Sequence, residues 1–365
     1  MSHATFAPSA ARRWVACPGS YQLCLEAPQA PSSIYAQEGT DAHTYAAALL
    51  TNGKNSVALA ADLAPDMIEA AHTYVKYVQD LRRMIPLAEG VERRVRHNDQ
   101  LFGTADYIAL VGTRLYVVDF KSGAGVRIDP KNNAQLMTYA MMALVEPDFI
   151  KHPIDTIEMV IVQPRIEGDD PIRPHVIHAR ALVSWKATVL EAMRIALSKD
   201  APLVYGDHCR FCAAKPTCPS LQGVVVEAQK TDINTLTPEQ LGEWLAKADV
   251  VEGWIGAIRQ MGHEAATAGM TIPGWALKPK RATRKWSDPE EVRKVAVAAR
   301  IAISDMDILS PTQVEKKFKG IPAKLLPFVV AQSSGFNLVK DASVTLPGTP
   351  APSLTSALSK LQYRI

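Results

Sequence analysis

The part of this chain that most restricts its fold is a hairpin with a charged exit. Two apolar runs, Tyr107-Ile108-Ala109-Leu110-Val111 and Leu115-Tyr116-Val117-Val118, flank the turn-prone pair Gly112-Thr113. The pattern predicts antiparallel strands over Ala105–Val111 and Arg114–Phe120. Asp119 and Lys121 end the second run. Residues two apart share a strand face, so carboxylate and amine point into one cleft. There a carboxylate can hold a divalent cation while an ammonium stabilises charge developing on a phosphate, as phosphodiester hydrolysis requires. Taken alone, the tripeptide describes equally well an ion pair at a strand end.

Its neighbours add to it in order. Gly103-Thr104-Ala105-Asp106 opens the first strand, and the hairpin brings Asp106 towards Asp119. Val91-Glu92-Arg93-Arg94-Val95 reads as the preceding strand. Glu92 is a possible further acid of the cleft, or, among arginines, an ordinary exposed glutamate. Asn133 to Leu144 has helical periodicity and strong helix formers. Its Gln135 and Tyr139, four apart, share one helix face and are able to donate hydrogen bonds to a phosphate or order a water. Glu38 to Ala46 opens an earlier helix with Thr40 or Asp41 as cap and His43 near its start. A histidine on an alanine-rich helix is either structural or a metal ligand.

The series His43, Gly-x-x-Asp106, Asp119-x-Lys121, Gln135-x-x-x-Tyr139 resembles the motifs of the PD-(D/E)xK nucleases, in particular the RecB-like branch. The resemblance implies an α/β fold with a restriction-endonuclease-like core, a mixed central sheet flanked by helices. It also implies that His43, Asp106 and Asp119 ligate one or two Mg2+ or Mn2+ ions. Lys121 would activate water or stabilise the transition state, with Gln135 and Tyr139 supporting the phosphate and the lysine.

Cysteine usage is the second signal. Cys209, Cys212 and Cys218 form a C-x2-C-x5-C group, and only Cys17 and Cys24 lie elsewhere. Three close thiols in a cysteine-poor chain point to a metal or cluster site instead of a disulfide framework. Both structural zinc and a cubane cluster need four ligands, so Cys17, Cys24 or a histidine such as His208 must complete the set. One cysteine upstream and three clustered downstream is similar to the iron–sulfur staple of AddB-type and CRISPR-adaptation nucleases. That resemblance makes Cys17, in Arg13-Trp14-Val15-Ala16-Cys17-Pro18, the fourth ligand of a [4Fe-4S] cluster and leaves Cys24 as a small buried residue. Structural Zn2+ is the alternative.

Residues 1–225 are further similar to a family of phage and prophage proteins known only as a domain of unknown function, through Ser9 to Ser20, Glu38 to His43, and Val162-Gln163-Pro164-Arg165. The resemblance implies a DNA exonuclease acting beside a single-strand annealing protein, and without a signal peptide or long apolar span it is expected in the bacterial cytoplasm. It leaves oligomeric state open, although some related exonucleases form rings. The strand-end Arg165 would touch either DNA backbone or solvent.

At 365 residues the chain predicts two domains, 1–225 and 226–365. The second is expected to be smaller and mainly helical, guiding DNA or binding a partner. Its expected helices span 238 to about 268, 287 to about 303 and 310 to about 319, with a last short helix after an extended linker from 341 to 352. A net charge of +3 is modest for a nucleic-acid binder. Local clusters carry the signal, above all Lys278 to Trp286, where cations alternate with Trp275 and Trp286 in a pattern suited to phosphate contact and base stacking. No signal peptide or long apolar span is read. Two other functions fit the same residues: an inactive nuclease-fold platform for DNA or protein, and a zinc-ribbon interaction protein.

Overall fold

The computed structural model describes residues 4–27, 34–51, 56–61, 63–301 and 308–344. The chain divides into two units, Met1–Trp254 and Ile255–Ile365. The first is a mixed α/β fold. It begins with α1 (Ala11–Ala16), α2 (Ser20–Glu26), α3 (Ile34–Leu50), α4 (Ser56–Ala61) and α5 (Pro65–Arg82). Strands β1 (Ala88–Arg96), β2 (Phe102–Val111) and β3 (Arg114–Phe120) follow, then α6 (Ala134–Ala143) and α7 (Pro147–Ile150). After β4 (Thr156–Val162) and β5 (Ile172–His178) come α8 (Ala181–Ala196), α9 (Pro219–Lys230) and α10 (Pro238–Thr267).

The five strands form one sheet in sequence order. β1 to β3 are an antiparallel meander, β4 runs parallel to β3, and β5 returns antiparallel to β4. A parallel step needs a crossover, which the helix-forming run from Ala134 supplies. Both faces are covered, so β3 reads as an apolar run from Leu115 to Val118, and β4 as one from Met159 to Val162. On one face Leu115, Val117, Ile157 and Met159 pack with Leu136 and Ala140 of α6, Trp14 of α1 and Val189 of α8. On the other, Tyr116, Val118, Phe120, Val160 and Val162 pack with Ala42 and Ala46 of α3 and Tyr74 and Val78 of α5. The alternation of odd and even residues between these two cores is the period of a strand.

The hairpin lies where the sequence predicts it, and β3 has the expected limits. β5 was not foreseen because Pro174 reads against a strand, yet β5 is an edge strand, where a missing amide costs no internal bond. α3 extends back to Ile34, so Thr40 and Asp41 are interior residues and not caps. The Thr40 hydroxyl donates to Ala36 O at 3.0 Å.

The division between units falls inside α10, later than position 225. Residues after the cysteines stay with the first unit: the Trp254 indole donates to Pro216 O at 3.1 Å, and Lys247 pairs with Glu227 at 2.8 Å. In the second unit the end of α10 is followed by β6 (Trp275–Pro279), β7 (Thr283–Trp286), α11 (Pro289–Ala298), α12 (Pro311–Phe318), β8 (Val329–Gln332) and β9 (Phe336–Lys340). Helix outweighs strand among the described residues after position 225, but two short ribbons that the sequence did not announce are present: β6 pairs with β9 and β7 with β8. Strands of four or five residues are too short to show alternation in the sequence. Val292, Ala296, Val314 and Leu325 form this unit's small core. The expected helix after the linker lies outside the described residues.

Candidate metal centre and cysteine cavity

The sheet register sets three carboxyls side by side. β1 pairs Val91 with Tyr107 and Arg93 with Ala105, which leaves Glu92 opposite Asp106. β2 pairs Tyr107 with Val118, so the next position along puts Asp106 beside Asp119. Glu92, Asp106 and Asp119 thus stand in one row across β1, β2 and β3, and the ladder pairing skips that row. Glu92 has a φ of 47°, unusual for a residue with a Cβ. Backbone held in this region is one of the features that cluster at functional sites.

His43 reaches this row from α3. Its Nδ1 is 3.4 Å from Asp106 Oδ1, while Asp106 Oδ2 accepts from the Phe120 amide at 2.7 Å. Donor atoms of His43, Glu92 and Asp106 lie within 4.8 Å of one another, the one such group of three His, Cys, Asp or Glu residues among the described residues. Asp119, only 3% exposed, sits beside them. Gln135 Nε2 donates to its Oδ1 at 2.8 Å. Lys121 Nζ is 2.8 Å from its Oδ2 and donates to Gln135 Oε1 at 3.3 Å. Asp119 Oδ2 is buried, and apart from the Lys121 ammonium no donor reaches it. Tyr139, one turn beyond Gln135, is buried against β2 at Gly103. A Cβ on Gly103 would lie 3.1 Å from the Tyr139 ring and 2.9 Å from Pro8, so a glycine lets helix and strand close on the site.

The electrostatics follow from this crowding. Partial desolvation of its carboxyl, on a residue that is exposed overall, and the nearby Asp106 push Glu92 up to about 7. Burial also raises Asp119 above the usual carboxylate range. Asp106 moves the other way: burial opposes its charge, but His43 and Lys121 outweigh that and lower its pKa. His43 and Lys121 are both raised, because against the cost of burial the adjacent acids favour their charged forms. Three carboxyls with one amine and one imidazole retain unbalanced negative charge. Hard oxygen donors and an imidazole suit a divalent cation.

Beyond Lys121 the chain has no regular structure until α6, yet it is held tightly. Gln163 at the end of β4 is 2% exposed. Its Nε2 donates to Gly123 O at 2.9 Å and Val126 O at 2.7 Å; its Oε1 accepts from the Ile128 amide at 3.1 Å and Arg173 Nη2 at 2.7 Å. Arg165, read from the sequence as a backbone contact or a surface cation, instead donates to Ser122 O at 3.0 Å and pairs with Asp66 at 2.8 Å. Gln163→Leu keeps the volume but strands three polar partners, Gly123 O, Val126 O and the Ile128 amide, at about 1–3 kcal/mol for each one left unsatisfied; Arg173 Nη2 keeps its bond to Ile128 O. Hydrogen exchange is expected to show the Ile128 amide losing protection while the β3 amides keep theirs.

The cysteines gather at a second locality of the first unit. Cys17, Cys209, Cys212 and Cys218 line one small cavity with His208, Leu23, Leu203 and Leu221. The Val204 amide donates to Cys17 Sγ at 3.3 Å, and Gly19 N donates to Pro202 O at 3.0 Å, tying the N-terminal segment to the approach to the cluster. Burial resists ionisation of Cys17, but His208 and the amides of Val204 and Ser20 bring its pKa below the ordinary thiol value. Cys24 is not the isolated buried residue the sequence suggested. It is half-buried, 3.6 Å from Cys212 Sγ and 3.2 Å from Arg13 Nη1. The Cys212 thiol, aided by Arg13, holds it at about 6 despite burial. Among the described residues, no three of these thiols and His208 come within 4.8 Å of one another, whereas thiolates on tetrahedral zinc stand about 3.8 Å apart.

Gly19 makes the strap sensitive to volume. A Cβ there would be 2.5 Å from Ala201 O and 2.8 Å from Pro202 O, backbone atoms with little freedom to move. Gly19→Ala is expected to cost about 1–3 kcal/mol, read as a thermal midpoint lowered by several degrees.

A family model described as "Protein of unknown function (DUF2800)" matches residues 3–342. The chain belongs to this family. The DUF2800 match runs through both units and takes in the acidic row, its lysine and all five cysteines. Among solved structures, one titled "Crystal structure of SSO0001" aligns at 13% identity over 58% of this chain and 95% of that one, with a TM-score of 0.22. So loose a likeness carries nothing about fold or activity.

For this DUF2800 chain the sequence brings His43, Asp106, Asp119, Lys121, Gln135 and Tyr139 to one locality. It leaves Glu92 undecided, although the period-two register of two strands contains the signal that sets Glu92 opposite Asp106. Gln163 sits in the Val162-to-Arg165 motif, whose spacing assigns it no role; its four contacts depend on loop geometry that no periodicity reveals.

Proposed function

We propose that this protein is a divalent-metal-dependent DNA nuclease of the PD-(D/E)xK type. The observation that carries the reading is the row Glu92, Asp106, Asp119 with His43 on one side and Lys121 on the other. A five-stranded mixed sheet with helices on both faces suits that superfamily, with α6 supplying Gln135 and Tyr139. His43, Glu92, Asp106 and Asp119 would hold Mg2+ or Mn2+, which when bound supplies a Lewis acid and lowers the pKa of water. Glu92 extends the ligand set implied by the sequence. Lys121, kept protonated by Asp119 and Asp106, is placed to stabilise charge on the phosphate oxygens. Gln135 orients the lysine and Asp119 together, and buried Tyr139 keeps that helix face against the sheet. The Gln163-clamped loop fixes the backbone just past Lys121.

The cysteine cavity fits a [4Fe-4S] cluster on Cys17, Cys209, Cys212 and Cys218 by donor chemistry: four thiols, apolar walls, and amide and imidazole donors at Cys17. When bound, the cluster would link the start of the chain to the segment after α8. Zinc is the weaker reading, because the thiols are not drawn to its spacing.

The test is a linear end-labelled duplex incubated with the purified protein. Degradation in Mn2+ and none in EDTA is expected; intact duplex with Mn2+, at protein and metal concentrations that give measurable binding, overturns the reading. Ligation requires the ionised carboxylate. With Glu92 titrating at about 7, Mn2+ affinity is therefore expected to rise as pH increases through that value. Glu92→Gln should weaken binding and flatten the rise, which calorimetric titration at several pH values would measure.

A further inference from the structure

Charge is shared very unevenly between the two units. Residues 1–254 contain 24 Lys and Arg against 29 Asp and Glu, a net of −5, and residues 255–365 contain 16 against 8, a net of +8. The unit with the acidic row has the wrong sign to attract a polyanion, and the second unit has the right one.

Within the second unit the structure separates cations already engaged from those that are not. Lys278 pairs with Asp341 at 3.3 Å, and Arg284 pairs with Glu315. Trp286, expected from the sequence to stack on bases, packs on the small core and donates its indole hydrogen to Leu309 O at 2.8 Å. Arg284 and Trp286 therefore mark the inward side of the β7–β8 ribbon. The register pairs Thr283 with Gln332 and Lys285 with Val330, which puts these four residues on the opposite face. All four are exposed. Lys280 and Arg281, in the turn leading into β7, are exposed too. None of Lys280, Arg281 and Lys285 has an acidic partner among the described residues.

We infer that this ribbon face and its basic turn form a sequence-independent contact surface for a nucleic-acid phosphate backbone, through Lys280, Arg281 and Lys285. Three unpaired cations close in sequence, on an uncovered face of a unit with excess positive charge, match a chain of phosphates. Val330 is the one apolar side chain of the four on that face, too little for insertion into a lipid surface. Thr283 and Gln332 are too few to read bases, so the contacts position the strand without selecting sequence. The inference rests on the reading of a nucleic-acid substrate but not on hydrolysis.

The test uses the full chain, a fluorescent duplex and EDTA to prevent cleavage, with affinity measured across a salt series. Each phosphate contact contributes about −0.9 to the slope of log K against log salt. Lys280→Gln, Arg281→Gln and Lys285→Gln combined should make the slope shallower by roughly 2–3 and weaken binding roughly 100-fold in about 0.1 M salt. The loss should be the same on unrelated duplex sequences, and Lys285→Arg should retain affinity. These substitutions lie on the surface, so an unchanged thermal midpoint would accompany the loss. Unchanged affinity and slope in the triple variant overturn the inference. So does loss of binding to phosphatidylserine vesicles with duplex binding intact. Duplex binding in EDTA does not depend on cleavage, so failure of the nuclease reading shows in the cleavage assay and failure of this surface in the binding assay.

Discussion

Asp119→Asn is expected to lower cleavage of a linear duplex in Mn2+ by about 10³-fold or more, and Lys121→Ala by about 10²–10³-fold, the range seen when one group stabilising transition-state charge is removed. The asparagine keeps the shape of Asp119 and a carbonyl oxygen for Gln135, so its effect reports charge. It should reduce Mn2+ affinity and kcat together. Lys121→Ala should leave Mn2+ affinity near or above the wild-type value, because it removes a competing cation 2.8 Å from Asp119 Oδ2, while turnover falls. It also leaves a buried carboxylate unpaired, which costs about 3–5 kcal/mol. The metal-free variant should therefore melt lower and recover on addition of Mn2+. Equal cleavage by wild type and Asp119→Asn would rule out this chemistry.

The second large effect belongs to the cysteine cavity. Protein purified without oxygen is expected to be brown, with iron and acid-labile sulfide in equal amounts. Cys218→Ser and Cys209→Ser should lose the colour and most of the iron. Both positions are buried next to Leu221, so loss of the bound group should also lower the thermal midpoint, by more than Gly19→Ala does. Cys24→Ser separates the two N-terminal thiols. Cys24 touches Cys212, but Cys17 is the one that lines the cavity with the other three, so Cys24→Ser should stay brown and Cys17→Ser should not. Zinc in place of iron, in protein made in iron-replete cells, would replace the cluster reading with the structural-metal one.

The sequence is most legible where one period dominates. β3, buried on both faces, reads as an uninterrupted apolar run, and its end fixes Asp119 and Lys121 on one side. The i, i+4 spacing of Gln135 and Tyr139 likewise survives folding intact. What resisted reading depends on relations between elements. Glu92 looks like one more charge among arginines until the β1–β2 register places it against Asp106. Arg165 looks available to DNA until Asp66 and Ser122 O engage it, and Trp286 looks like a stacking platform until the Leu309 carbonyl takes its indole hydrogen. β5 was hidden by Pro174, which an edge strand tolerates. The short ribbons of the second unit were hidden by length alone. Motif order thus carried the identity of most candidate ligands, while the distinction between engaged and unengaged cations required the fold.

The most direct measurement is anomalous diffraction from crystals soaked in Mn2+ and recorded at the manganese edge. A peak enclosed by His43 Nδ1 and the carboxylates of Glu92, Asp106 and Asp119, with Lys121 just outside the ligand sphere, is the expected result. A saturating soak with no peak at that row, or manganese bound elsewhere while His43 and Asp106 remain in contact, would contradict a metal-dependent nuclease centre at this site.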